Sequence, residues 1–351
     1  MDFNSREYYS SHSKLSFIGY HGQQKLKDAK VLVIGAGGLG CPCLLNLTTS
    51  GIGTIGIADF DIVSISNLHR QTLFTINDSG RLKTGAAIER LKSHNPETLF
   101  VNHSIIVGQD NVLDLIDPYD IVVDCTDNFL ARYLINDACV YMDKPLVYGA
   151  IHQAEGHLTV FNYENSGTLR CLFPEPEHGA IQSCADIGAY NVTTALIGTM
   201  MANETLKIAL ENPNVLSGTL LTLDSLDGTF TKINYKKNNE SLTESIKRFS
   251  ENPALFVLSN EAFTSKLKNT SYQLIDVRTE TEHDTFNLGG TNIPFDDLIS
   301  GKVLDFDPKA TAIFYCQQGF RSYEAVKFLR KLGFNKTFCL RGSMSNWINI
   351  I

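Results

Sequence analysis

The sequence predicts an α/β protein in two parts, a doubly wound unit with a mixed sheet followed by a smaller α/β unit. Three observations carry this. The apolar run Lys30–Ile34 leads at once into Gly35-Ala36-Gly37-Gly38-Leu39-Gly40, then a segment of helical composition and a second apolar run, Thr54–Ala58. Strand, glycine turn, helix, strand is how a doubly wound sheet begins. A later run, Asp120–Asp124, has the continuous apolar pattern of a core strand. Finally, a polar stretch separates residues 1–235 from residues 262–351, where Leu274–Val277 and Ala312–Tyr315 read as a second set of parallel strands. The segment 236–261 is the expected linker.

Residues 1–29 are polar with amphipathic stretches and predict one or two short helices. Cys41–Ser50 reads as helix, with Pro42 tolerated in its first turn. A helix is predicted from Arg81 to about His94, closed by Asn95-Pro96, and a short strand near Val101–Ile106. Phe129–Tyr141 reads as helix, Pro145–Tyr148 as strand, and the alternation of His157–Tyr163 as an antiparallel edge strand. Residues 164–188 show no period and form a long loop, of a length that in compact domains is usually functional. A helix over Asn191–Leu210 and strands around Leu220 and Phe230 complete the first unit. In the second, Ser322–Leu332 is the clearest helix.

The 351 residues carry 30 basic and 38 acidic side chains, a net charge of −8, which gives no support to a nucleic-acid or anionic-membrane surface. No window reaches the roughly 18 uninterrupted apolar residues that span a bilayer. The N-terminus has no apolar stretch of the signal-peptide kind, so a cytoplasmic protein is expected. The 8 cysteines are too sparse for a disulfide scaffold, and no CxxC pair occurs, which excludes a four-thiolate zinc site of that spacing.

Gly35, Gly37, Gly38 and Gly40 match G-x-G-x-x-G, which opens a Rossmann-like unit. Glycines there let backbone N–H groups and a helix N-terminus approach phosphate oxygens. Asp59, at the end of the second strand, is placed to accept from a ribose hydroxyl. The loop alone suits a dinucleotide, another nucleotide or a structural turn. The segment Asp59–Gln71 and Lys83 favour phosphoryl chemistry, because adenylation builds charge on phosphate oxygens and on pyrophosphate. Arg70, a planar donor, and Lys83, a point charge, suit that task. Asp127, in Cys125-Thr126-Asp127-Asn128, follows the strand Ile121–Asp124 where such sheets bind ligands, and is the candidate Mg²⁺ ligand. Its alternative role is N-cap of the helix beginning near Phe129. Asp124 reads as a structural end-of-strand residue.

Together these segments resemble the ubiquitin-activating-like superfamily, and within it the ThiF, MoeB and HesA adenylyltransferases of molybdopterin and thiamin biosynthesis. The resemblance runs from about residue 8 to 235. It implies that ATP activates the C-terminal glycine of a small ubiquitin-like sulfur carrier ending in Gly-Gly, as an acyl-adenylate. By position, Asp59 would hold the ribose, Asn67, Arg70 and Lys83 the phosphates, and Asp127 Mg²⁺. Gln71 would support them, and Asp61 and Asn128 would complete the nucleotide-binding set. The resemblance also implies a homodimer. Two departures stand out. Ser11 occupies the place of an arginine that in the family reaches the partner subunit's nucleotide, with Arg6 nearby. Of the family's two zinc-binding CxxC pairs only Cys171 remains, so no zinc is expected and Cys171 reads as a small buried residue.

Cys184 stands at the end of the long loop, where a helix N-terminus would favour its thiolate. The family resemblance implies a covalent link to the activated carrier, either a thioester or a disulfide formed as thiocarboxylate is released. In the second unit, Cys316-Gln317-Gln318-Gly319-Phe320-Arg321-Ser322 follows a strand and opens a helix, a loop shaped to stabilise a thiolate or persulfide. Arg321 either adds charge or braces the loop. A cysteine phosphatase is the rival, but its loop is usually longer. With Asp276-Val277-Arg278, Gly290–Pro294 and Leu340–Met344, this region resembles a single rhodanese domain. That implies sulfur transfer from a persulfide donor such as a cysteine desulfurase, through Cys316. Activation for tRNA thiolation or protein conjugation, and a regulatory module with a degenerate nucleotide site, are the alternatives.

Overall fold

The computed structural model describes residues 3–174, 188–250, 257–258, 272–301, 310–317, 319–340 and 344. They form two compact units, each with its own sheet and core. The larger holds eight strands: β1 (Lys30–Ile34), β2 (Thr54–Ala58), β3 (Leu99–His103), β4 (Ile121–Asp124), β5 (Leu146–His152), β6 (Glu155–Phe161), β7 (Thr219–Asp224) and β8 (Thr229–Asn234). Their order is β3-β2-β1-β4-β5-β6-β7-β8, parallel as far as β5 and antiparallel beyond it.

β1 and β4 are buried along nearly their whole length, which is why they read as unbroken apolar runs. The helices Gly40–Ser50 and Asn191–Ala209 pack together, and the latter also lies on β5 and β6. Gly156 lets it approach: a Cβ there would sit 2.5 Å from Ile197 Cγ1.

Some predictions shift. The strand expected near Val101–Ile106 lies at Leu99–His103. The strand expected at an edge, β6, is internal, flanked by β5 and β7, and the edge is β8, exposed at every residue. The polar positions that made β6 look solvated are bonded instead, as in Thr159, fully buried, whose Oγ1 donates to Leu216 O at 3.1 Å.

Within the stretch expected as linker, Asn239–Ser250 is a helix, and the larger unit extends to Arg248. Ser245 Oγ donates to Asp137 Oδ1 at 2.7 Å, and Ser241 Oγ to Arg170 O at 3.2 Å. Asp137 also takes both Nε and Nη2 of Arg170 at 2.8 Å, both side chains being 2% exposed. A buried pair of this kind is most costly when one member is removed, because the other charge stays behind. Asp137→Ala is expected to destabilise the larger unit by about 3–5 kcal/mol, read as a lowered denaturation midpoint.

The smaller unit has a five-stranded parallel sheet. Its strands are β9 (Val257–Leu258), β10 (Tyr272–Asp276), β11 (Thr291–Asn292), β12 (Thr311–Tyr315) and β13 (Thr337–Leu340), in the order β11-β10-β12-β13-β9. The helix Phe320–Lys331 packs on β12 and β13 through Ala325, Val326 and Leu329.

Candidate functional sites

In the larger unit the chain leaves β1 toward β2 on one side and meets β4 on the other. The loops after β1 and β4 therefore lie side by side at the switch point, where open α/β sheets bind ligands. Gly35 has φ +98°, and a Cβ there would stand 2.7 Å from Cys125 O. A Cβ on Gly40 would stand 2.0 Å from Gly35 O, and one on Gly38 2.5 Å from Thr194 Cγ2. These three glycines are required by packing. Gly37 differs, since its Cβ would meet only Gln71 Nε2, at 3.7 Å, so bare backbone faces open space there.

Asp59 ties the loop to the end of β2. Its Oδ2 accepts from Ala36 N and its Oδ1 from Asp61 N, both at 2.8 Å. Burial, with Asp61 beside it, pushes its carboxyl above the usual range despite Lys83 and those two donors. Asp59 is thus a brace of the glycine loop, a role its sequence position did not reveal. Lys83, 5% exposed, starts the helix Lys83–His94 and pairs with Asp61 Oδ2 at 2.9 Å. Burial works against its charge, but Asp59, Asp61 and Asp127 outweigh it and raise its pKa. Lys83 is therefore a buried cation held by Asp61, with Asp59 and Asp127 within electrostatic reach.

Asn67 ends a short turn whose carbonyl accepts from Arg70 N and Gln71 N. That turn lays the Arg70 side chain along Gly38, with Cγ 3.5 Å from a Cβ built there. Gln71 is buried, and its Oε1 has no hydrogen-bond partner among the described residues.

The loop after β4 separates the two roles open to Asp127. Asn128 is the N-cap of the helix Phe129–Tyr141, its Oδ1 accepting from Ala131 N at 3.1 Å. Asp127 is left exposed, within electrostatic reach of Lys83 and Asp124. Asp124 is fully buried and holds the loop through Thr126, whose N and Oγ1 reach Oδ1 at 2.9 and 2.7 Å. Its Oδ2 has no hydrogen-bond partner among the described residues. Burial raises its pKa, against the pull of Arg132. Arg132 also donates to Thr126 O and stacks 5.0 Å over the Tyr148 ring. Arg132 was missed from sequence, and the available signal was the single basic residue of a largely apolar helix.

Two cysteine readings change or stay outside the described residues. Cys171 is partly exposed rather than buried, because its Sγ accepts from Thr168 N at 3.3 Å and Asn238 N at 3.2 Å at the unit's surface. Cys184 lies outside the described residues.

In the smaller unit, Cys316 follows β12 and is 1% exposed. Gly319, with φ +96°, caps the helix Phe320–Lys331 and turns its N–H onto Cys316 Sγ at 3.1 Å, while Ser322 Oγ lies at 3.6 Å. Gln318 lies outside the described residues. Arg321 braces the loop: its Nη1 and Nη2 each donate at 2.7 Å to Glu282. Glu282 also accepts from Thr279 N and Oγ1, the reciprocal capping pattern of the helix Glu280–Thr285. Burial works against the Glu282 charge, but Arg321 and Thr279 hold its carboxyl at about 2. Asp276 and Arg278 brace the other side, with Arg278 Nη2 2.6 Å from Asp276 Oδ2 and Nη1 3.4 Å from Gln317 Oε1.

Comparison with known proteins matches this division. Residues 9–244 match the ThiF family, and residues 259–350 match the Rhodanese-like domain. "Adenylyltransferase and sulfurtransferase MOCS3" of Aedes aegypti is 39% identical over 355 residues, covering 92% of this chain and 81% of that protein. "Sulfur carrier protein adenylyltransferase" of Thermus thermophilus is 43% identical over 227 residues, covering 63% of this chain and 84% of that protein. Among solved structures, E. coli MccB with ATP superposes with a TM-score of 0.58 at 23% identity, over 66% of this chain and 72% of MccB, a likeness of fold. With a Rossmann-like α/β unit matched over well over half its length and a small α/β unit behind it, the chain belongs to the ThiF family and carries a C-terminal rhodanese-like domain.

Proposed function

We propose that the chain adenylylates the C-terminal carboxylate of a small ubiquitin-like sulfur carrier ending in Gly-Gly, and then delivers sulfur to it from a persulfide on Cys316. The supporting observation is that Arg70 and Gln71 lie against the glycine loop at the switch point of the sheet, with Lys83, paired to Asp61, within electrostatic reach of Asp59 and Asp127. Relatives named as an adenylyltransferase and sulfurtransferase and as a sulfur carrier protein adenylyltransferase support the same reading.

The residues fit ATP and Mg²⁺. Bare backbone at Gly37 and the unpaired Gln71 Oε1 offer a cradle and a polar group for the nucleotide, and the Asp127 carboxylate is exposed. One carboxylate plus phosphate oxygens is the donor set Mg²⁺ favours, and the ion would neutralise charge on the phosphates. Asp59 would hold the ribose while it braces the loop, and Asn67 and Asn128 would border the nucleotide. Arg70 and Lys83 stabilise the charge that develops as a carrier carboxylate oxygen attacks the α-phosphorus and pyrophosphate leaves. Lys83 suits this because the surrounding carboxylates keep it protonated.

The Cys316 persulfide then attacks the acyl carbon and AMP leaves with the bonding electrons of the acyl–oxygen bond. A thiolate, for which Cys184 is the candidate, attacks Cys316 Sγ in the resulting acyl disulfide; a Cys184–Cys316 disulfide forms, the carrier thiocarboxylate leaves with the electron pair, and a thiol reductant restores the two cysteines. A cysteine desulfurase is the proposed source of sulfur. The proposal includes a cytoplasmic homodimer without structural zinc. No helix among the described residues is long and apolar enough to cross a membrane.

The test is ATP–pyrophosphate exchange with candidate carriers supplied one at a time, from molybdopterin, thiamin and tRNA-thiolation systems. Exchange is expected with a carrier ending in Gly-Gly and not after its last glycine is deleted. Exchange with none of them would leave the larger unit a binding module.

A further inference from the structure

Beside the Cys316 loop, a site read as handling an anion, Arg321 and Arg278 are each held by a carboxylate. Sγ is supported by neutral donors, Gly319 N at 3.1 Å and Ser322 Oγ at 3.6 Å. Two guanidinium groups flank the loop, and each is matched by a carboxylate. Arg321, within electrostatic reach of Cys316, gives both terminal nitrogens to the two oxygens of Glu282. Arg278 gives Nε and Nη2 to Asp276, and Nη2 also to Phe286 O at 2.7 Å. His283 Nδ1 faces the same Asp276 at 2.9 Å.

We propose that Glu282 sets the specificity for the sulfur donor: by neutralising Arg321 it denies small dianions that cation near Cys316 and so favours persulfides. This rests on Cys316 as the sulfur-bearing residue. Thiosulfate must bring two negative charges to Sγ. The Cys316 thiolate attacks its outer sulfur, an S–S bond forms, the sulfur–sulfur bond to the sulfonate breaks, and sulfite leaves with the electron pair. An uncompensated Arg321 would attract both charges, whereas a neutralised one attracts neither. A persulfide, R–S–SH, enters uncharged or with one charge. The thiolate attacks its outer sulfur and the thiolate R–S⁻ leaves, so Glu282 costs this donor little.

Two features make Glu282 suited to the task. Thr279 N and Oγ1 hold its carboxylate at 2.9 and 3.0 Å, so the charge is fixed in place. Its depressed pKa keeps it ionised at any pH where the enzyme would work. Glutamine fits the same capping pattern and can still accept from Arg321, so Glu282→Gln removes charge with little change of shape.

The test uses the full chain with thiosulfate and cysteine persulfide, following sulfur uptake on Cys316 by intact mass. In Glu282→Gln the ratio of kcat/KM for thiosulfate to that for cysteine persulfide is expected to rise on the order of tenfold. The gain should come mainly from a lower KM for thiosulfate and shrink with added salt. In the parent chain, thiosulfate kcat/KM should not fall as salt is added, a readout that does not depend on how the variant folds. An unchanged ratio in Glu282→Gln, or a steep fall of the parent's thiosulfate kcat/KM with salt, overturns the role of Glu282 alone. Failure of both donors to load the parent overturns Cys316 as the sulfur carrier, and the proposal with it.

Discussion

Cys316→Ser is expected to abolish thiocarboxylate formation while leaving carrier-dependent ATP–pyrophosphate exchange at the parent rate. The two chemistries sit in separate units with separate cores, so one can be removed without the other. A serine hydroxyl does not ionise near neutrality and holds no sulfane sulfur, although it would accept the Gly319 N–H much as Sγ does. The decisive measurement is the intact mass of the carrier after incubation with ATP, Mg²⁺ and a persulfide donor. In the parent it rises by the difference between sulfur and oxygen, and in Cys316→Ser it stays unchanged. The same mass gain in the variant, with no other sulfurtransferase present, would reduce the rhodanese-like domain to docking or regulation. Cys184→Ser should load Cys316 normally and fail later, at transfer or release.

The elements that carry these sites were legible because their signals are local. Apolar runs marked β1, β2, β4 and β12, and the helix Phe129–Tyr141 has the predicted bounds. What was not legible depends on partners far apart in the chain. Arg321 and Glu282 are separated by 39 positions, so only the fold decides that the arginine braces the loop. Asp137, Arg170 and Ser245 belong to three helices, and nothing in the polar composition of 236–261 shows that a helix within it docks through them. β6 misled for a related reason: alternation signals two different faces, but a polar face can be buried if hydrogen bonds satisfy it. Adjacent residues can mislead as well. Asp127 and Asn128 are both good caps by type, and a one-residue difference in where the helix begins decides which carboxamide or carboxylate is consumed.

That last distinction sets up the second large effect. Asp127→Ala is expected to lower carrier-dependent pyrophosphate exchange on the order of 10²–10³-fold, the scale for losing one preorganised electrostatic contact to a transferring phosphoryl group. It should do so without destabilising the larger unit, since the helix is capped by Asn128 and Asp127 makes no hydrogen bond among the described residues. Asn128→Ala gives the converse, a stability loss of about 1 kcal/mol from the missing cap. Arg70→Ala and Lys83→Ala should each raise the barrier by roughly 2–4 kcal/mol. Lys83→Ala carries a second consequence, because it leaves Asp59, Asp61 and Asp127 facing one another without their shared cation. Its defect should therefore deepen in low salt, where repulsion between the carboxylates and the nucleotide phosphates is least screened. Exchange by Asp127→Ala near the parent rate, with an unchanged Mg²⁺ requirement, would remove the metal role and leave Asp127 as one more charge around Lys83.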